Sequence, residues 1–184
     1  MQPSTTLDFQ QVYDTYQPRI LRYLTRLLGP DEAEDLAQEV FLRAHQSLDS
    51  FRGEAQISTW LYRIASNAAI DRLRSASFRQ GKSEIELDEH CECGGEEMGR
   101  AHPLAPVEIV LLEKDRYHCF MDYIEQLPLS YKLVVLLSEV EDLTTREIAA
   151  IMGLSQKTVK IRLHRGRTRL FQALRENCKP EEWM

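Results

Sequence analysis

Apolar residues recur along this chain at three- and four-residue intervals, with few alternating runs, so the pattern predicts helices almost throughout. Between Leu7 and Leu28 the stripe is Phe9, Val12, Tyr13, Tyr16, Ile20, Leu21, Leu24 and Leu28, closed by Gly29-Pro30. Pro18 interrupts it, which predicts either two helices or one kinked helix. Asp31 is the expected cap of the next helix, whose stripe of Ala33, Leu36, Ala37, Val40, Phe41, Ala44 and Leu48 carries it to about Leu48. After a loop from Phe51 to Gln56, a third helix is expected from Ile57 to Arg74, with Ile57, Trp60, Leu61, Ile64, Ala65 and Ala68 facing the core. Periodicity then lapses from Arg79 to Pro106 and resumes from Val107 to Gln126. Leu127-Pro128 breaks that helix, and Ser130 is the expected cap of the one that follows. The fold class is therefore all-α: two small helical domains, 5–78 and 107–178, joined by a flexible acidic linker over 79–106.

The last stretch, LTTREIAAIMGLSQKTVKIRLHRGRTRL, reads as two helices joined by a tight turn. Thr144 and Glu147 form a T-x-x-E capping box, Gly153 supplies the residue tolerant of positive φ, and Ser155 is placed to cap the second helix. Val159 and Leu163 are its apolar face; Lys157, Lys160, His164, Arg165 and Arg167 spread over the rest. This is a helix-turn-helix, and its basic surface suits a DNA major groove. Charge strengthens the reading. Between Thr144 and Arg175 stand eight cations, Arg146, Lys157, Lys160, Arg162, Arg165, Arg167, Arg169 and Arg175, against the single acid Glu147. A run so one-sided repels itself unless it meets phosphates. The net charge of −6 over 184 residues conceals this, because the acids collect elsewhere.

Those acids define two further features. Glu34, Asp35, Gln38 and Glu39 form an exposed patch on the second helix, either a solvated face or an interface. The linker holds Glu84, Glu86, Asp88, Glu89, Glu92, Glu96 and Glu97, and also His90, Cys91, Cys93 and His102, with His118 and Cys119 beyond it. These are candidate soft-metal ligands, but C-x-C followed by Gly-Gly lacks the paired spacing of a zinc site, so no metal or other cofactor is expected. Four cysteines without an even framework read as reduced thiols. No apolar run is long enough to span a bilayer and the first residues, MQPSTTLDFQQ, lack the parts of a signal peptide, which predicts a cytoplasmic protein without membrane insertion. In the third helix, Arg63, Asn67, Asp71, Arg72 and Arg74 take the polar side. Cations that track a backbone, with an amide for a base edge, suit single-stranded DNA; Trp60, on the apolar stripe, reads as core. No nucleophile, phosphate loop or carboxylate dyad marks an enzyme.

Three stretches in order resemble one family. DEAEDLAQEVFLRAHQSLDSFRG is similar to region 2.2 of the group IV, or extracytoplasmic function (ECF), sigma factors of bacterial RNA polymerase. STWLYRIASNAAIDRLR resembles the promoter-reading part of region 2, and LPLSYKLVVLLSEVEDLTTREIAAIMGLSQKTVKIRLHRGRTRL resembles region 4. The resemblance implies a region 2 domain over 5–78 and a region 4 domain over 107–178. It also implies three partners: core RNA polymerase, promoter DNA and an anti-sigma factor. Glu34, Asp35, Gln38 and Glu39 then fall on the helix that grips the polymerase clamp. Arg63, Asn67, Arg72 and Arg74 fall on the side facing the minus-ten element, with Asn67 near the pocket for a flipped base and the 51–56 loop beside it. Arg146, Lys157, Thr158, Lys160, His164 and Arg165 face the minus-thirty-five element as duplex. The competing readings are a dimeric helix-turn-helix regulator that never joins polymerase, and a metal- or redox-responsive factor using the linker.

Overall fold

A computed structural model describes residues 8–48, 51, 56–79 and 114–177, and every regular element among them is helical. The elements are α1 (Phe9–Leu28), α2 (Pro30–Ser47), α3 (Ile57–Arg79), α4 (Lys114–Glu125), α5 (Leu129–Val135) running into a π-helical turn (Leu136–Val140), α6 (Thr145–Met152) and α7 (Gln156–Asn177). The described helices fall into two compact units. The first holds α1, α2, α3 and residues 143–156 with α6; the second holds α4, α5, the π turn and α7. The expected linker beyond Arg79, with His90, Cys91, Cys93 and His102, lies outside the described residues.

In the first unit α1 is one continuous helix despite Pro18. The ring sits on the exposed side, where the carbonyl that loses its partner is open to solvent, while Val12, Ile20, Tyr23, Leu24 and Leu27 are buried opposite it. Asp8 caps α1 by accepting from the Gln10 N–H at 3.0 Å. A single residue, Gly29, joins α1 to α2 at φ 88, its N–H closing α1 onto the Thr25 carbonyl at 2.8 Å. Only glycine takes that φ without strain, and Pro30 then opens α2 with its φ preset. Asp31, the expected cap, therefore lies inside the first turn of α2, where the helix dipole favours its charge. The predicted stripe from Ala33 to Ala44 is buried.

The buried side of α3 is wider than one stripe. Leu61, Tyr62, Ala65, Ser66, Ala68, Ala69 and Ile70 are buried, whereas Ile57, Trp60 and Ile64 are only half-buried. The reason is tertiary: α3 packs against α1, α2 and α6, so more than one face is covered. Its small residues admit the Tyr23 ring, whose hydroxyl shares a 2.8 Å hydrogen bond with Ser66 and which meets Tyr62 edge-on at 5.4 Å. A buried hydroxyl pair of this kind satisfies both partners without water.

In the second unit the run Leu133 to Leu137 is wholly buried, as befits a central helix covered on all sides. Pro128 is the residue before α5, so Ser130, the expected cap, lies within the helix and is buried. Gly166 of α7 rests directly on this helix: a Cβ there would lie 2.8 Å from Val135 Cγ2 and 3.3 Å from Tyr131 Cβ.

Candidate nucleic-acid interface

The chain between α6 and α7 follows its sequence signals closely. Thr144 accepts from the Glu147 N–H at 3.3 Å and Glu147 accepts from the Thr144 N–H at 2.8 Å, the capping box in full. Gly153 closes α6 in the left-handed region at φ 65, and the Leu154 N–H returns to the Ala149 carbonyl at 3.0 Å. The next helix starts at Gln156, directly after Ser155.

With about 100° per residue, α7 sets Lys157, Lys160 and His164 within a sector of about 60°. All three are exposed, Arg165 is exposed beside them and Thr158 is half-buried at the flank. Arg146 is exposed on the first turn of α6. The other cations have different fates, which corrects the picture of a surface run. Arg162 is 4% exposed. Arg167 donates from Nε to Glu139 Oε1 at 3.0 Å and from Nη2 to Ser138 Oγ at 3.2 Å, both acceptors carried on the π turn. Arg169 lies over the Tyr131 ring, 4.9 Å from its centroid. Arg167 is thus paired within the protein and Arg162 is buried, while Lys157, Lys160, Arg165, Arg169 and Arg175 are exposed. Two buried apolar residues, Val159 and Leu163, anchor the opposite side.

A second cationic face lies on α3. Relative to Arg63, Asn67 is turned by about 40° and Arg74 by about 20°, and all three are exposed. Trp60 is on this side too, half-buried, its ring 5.2 Å from Phe51 at the start of the loop. Sequence reasoning assigned Trp60 to the core; the signal available was its position about 20° from Asn67 around the helix. Arg72 is on the opposite side, 3.9 Å from Glu32 and 3.7 Å from Glu39.

The acidic face of α2 shows Glu34, Asp35 and Gln38 exposed and Glu39 half-exposed, paired with Arg43. Leu42, one turn beyond Gln38, is 60% exposed and extends that face with an apolar residue. Phe171, 52% exposed, likewise extends the Lys157–His164 face of α7. Neither was anticipated, although an apolar residue off the periodic stripe is visible in both helices. Among the described residues no three His, Cys, Asp or Glu side chains gather as a metal site, and no helix is long and apolar enough to cross a membrane.

Comparison with known proteins finds two matches in order along the chain. Residues 12–79 match the model of Sigma-70 region 2 and residues 117–170 that of Sigma-70 region 4. The chain is 36% identical over 174 residues to the ECF RNA polymerase sigma factor SigW of Bacillus subtilis, covering 91% of this chain and 89% of that one. It is 33% identical over 154 residues to the ECF RNA polymerase sigma-E factor of Escherichia coli, covering 83% and 78%. Its fold is similar to that of the sigma factor RpoE in complex with the anti-sigma factor NepR from Bartonella quintana, with a TM-score of 0.68, 22% identity and coverage of 94% and 99%. CnrH in complex with the cytosolic domain of CnrY is also similar, with a TM-score of 0.63, 20% identity and coverage of 92% and 88%. With both region models matched in order and relatives above 30% identity along most of its length, the chain belongs to the ECF sigma factors of the sigma-70 family.

Proposed function

We propose that this sigma factor divides its work among three helix faces: α2 docks on core RNA polymerase, α3 captures the melted minus-ten strand, and α7 reads the minus-thirty-five element as duplex. The observation that carries the reading is the exposed polar face of α7: Lys157, Lys160 and His164 share a sector of about 60° with exposed Arg165 beside them, on a helix that fits a major groove. Thr158 borders that face, and Arg146 at the head of α6 suits a flanking phosphate.

On α3, Asn67 offers an amide to a flipped base, Arg63 and Arg74 neutralise the strand, and the Phe51–Trp60 pair supplies an aromatic surface on the same side. Strand capture of this kind lets binding energy do the melting, with no bond made or broken by the protein. Glu34, Asp35, Gln38 and Glu39, with Leu42, form the docking face for polymerase, in which Leu42 supplies an apolar centre and the polar residues its rim. The functional division is 5–78 for docking and melting and 107–178 for the upstream element. The site of action is the cytoplasm, where polymerase and chromosome meet. An anti-sigma factor is the proposed regulator, supported by the complexes in which the similar folds were solved.

The experiment is transcription by core polymerase plus the purified chain on a library of randomised promoters. Selection of two separated sequence elements, and co-elution of the chain with core polymerase, are expected. A chain that binds a palindromic duplex as a dimer and does not co-elute would replace this reading with that of a plain regulator.

A further inference from the structure

Arg72 does not share the face of the residues with which the sequence groups it. At about 100° per residue, it is about 180° from Arg63, about 140° from Asn67 and about 160° from Arg74. The contacts agree. Its Nη1 is 3.9 Å from Glu32 Oε2 and its Nη2 is 3.7 Å from Glu39 Oε2, so one guanidinium spans two carboxylates two turns apart on α2. The remaining oxygen of Glu39, Oε1, is paired with Arg43 of the same helix. Each oxygen of Glu39 therefore faces its own cation, one from α2 and one from α3.

From this geometry we infer that Arg72 serves polymerase docking instead of the melted strand, as a positioning residue for Glu39. A carboxylate held from both sides keeps one rotamer, and less conformational freedom is lost when a partner meets it. Arg72 also fixes the edge of α2 against α3, which leaves Glu34, Asp35, Gln38 and Leu42 as the part of the face free to be covered. The inference rests on the proposed docking of α2 on core polymerase.

Two readouts on the full-length chain separate the possibilities. Affinity for core polymerase is measured by competition with a labelled sigma factor, and the salt dependence of minus-ten strand binding is measured on the holoenzyme. An exposed ion pair is worth little, so Arg72→Ala should weaken core binding about two- to five-fold. Arg72→Lys should recover part of the loss, and Arg72→Ala with Glu39→Gln should be no weaker than Glu39→Gln alone. The salt slope of strand binding should stay at the wild-type value in Arg72→Ala, while Arg74→Ala should reduce it by about 0.7, the loss of one single-strand phosphate contact. A reduced slope in Arg72→Ala with core binding unchanged would overturn the inference, as would losses in the two single variants that multiply in the double. Glu34→Gln and Asp35→Asn report on the docking itself. Unchanged core binding in both overturns the docking and this inference together, whereas losses there with Arg72 uncoupled from Glu39 overturn this inference alone.

Discussion

Gly166 offers a substitution whose sign depends on how closely α7 lies on α5. Replacing a helical glycine by alanine normally stabilises by about 1 kcal/mol, because the unfolded chain loses freedom and the helix gains propensity. Here the added Cβ would stand 2.8 Å from Val135 Cγ2 and 3.3 Å from Tyr131 Cβ. Val135 is fully buried and β-branched, so its methyl has no free rotamer to take, and the Tyr131 Cβ is tied to the backbone. Overpacking of this kind costs about 1 to 3 kcal/mol, which outweighs the helical gain. Gly166→Ala should therefore destabilise by about 1 kcal/mol, and Gly166→Val by more, since valine adds volume with a smaller helical gain. For a domain of this size that is a fall of about 4 to 8 °C in the melting transition of the C-terminal unit. Scanning calorimetry of the full chain reads it, with urea denaturation as a check. Because α7 carries Lys157, Lys160 and His164, a shifted helix should also weaken all promoters alike. An alanine variant more stable by about 1 kcal/mol would refute the close approach.

Three further outcomes follow from the same geometry. Arg167→Ala should cost about 1 to 2 kcal/mol of stability, discounted for the partial exposure of the arginine, because it strands a Glu139 side chain only 11% exposed; its effect on the salt dependence of promoter binding should be nil. Lys132, half-buried on α5, has its pKa lowered by burial, an effect that Glu125 only partly offsets. The unfolded chain then binds more protons, so Lys132→Met should match or exceed wild type near neutrality, and wild type should regain stability as pH rises through the window between the lowered folded value and the ordinary lysine range; urea midpoints at several pH values measure this. Asn67→Ala should leave co-elution with core polymerase intact and reduce open complexes in a permanganate footprint; lost co-elution with normal melting would contradict the base-pocket role.

How much of this was legible in the sequence depends on whether the signal was local. The capping box, the positive φ at Gly153 and the stripe of α2 are set by neighbours in the chain, and all were readable. Pro18 was ambiguous because its cost depends on which side of α1 faces solvent. The broad burial of α3 was not readable, since it requires knowing that α1, α2 and α6 all pack on that helix. Charges were hardest. Arg162, Arg165 and Arg167 look alike in a one-dimensional run, yet one is buried, one exposed and one held by a π turn that no periodicity announces. Arg72 differs from Arg74 only by rotation about the helix axis, which decides whether a cation meets α2 or solvent.

The central claim is that two promoter elements are read by two separate helices, and one measurement addresses it most directly. Promoter-library transcription is run with core polymerase and, in parallel, wild type, Asn67→Ala and Arg165→Ala. Arg165→Ala should cost about 1 to 3 kcal/mol and relax base preference in the upstream element alone. Asn67→Ala should relax it in the downstream element alone. If either variant relaxes both elements, or the two exchange effects, the assignment of α7 to the duplex and α3 to the melted strand is wrong.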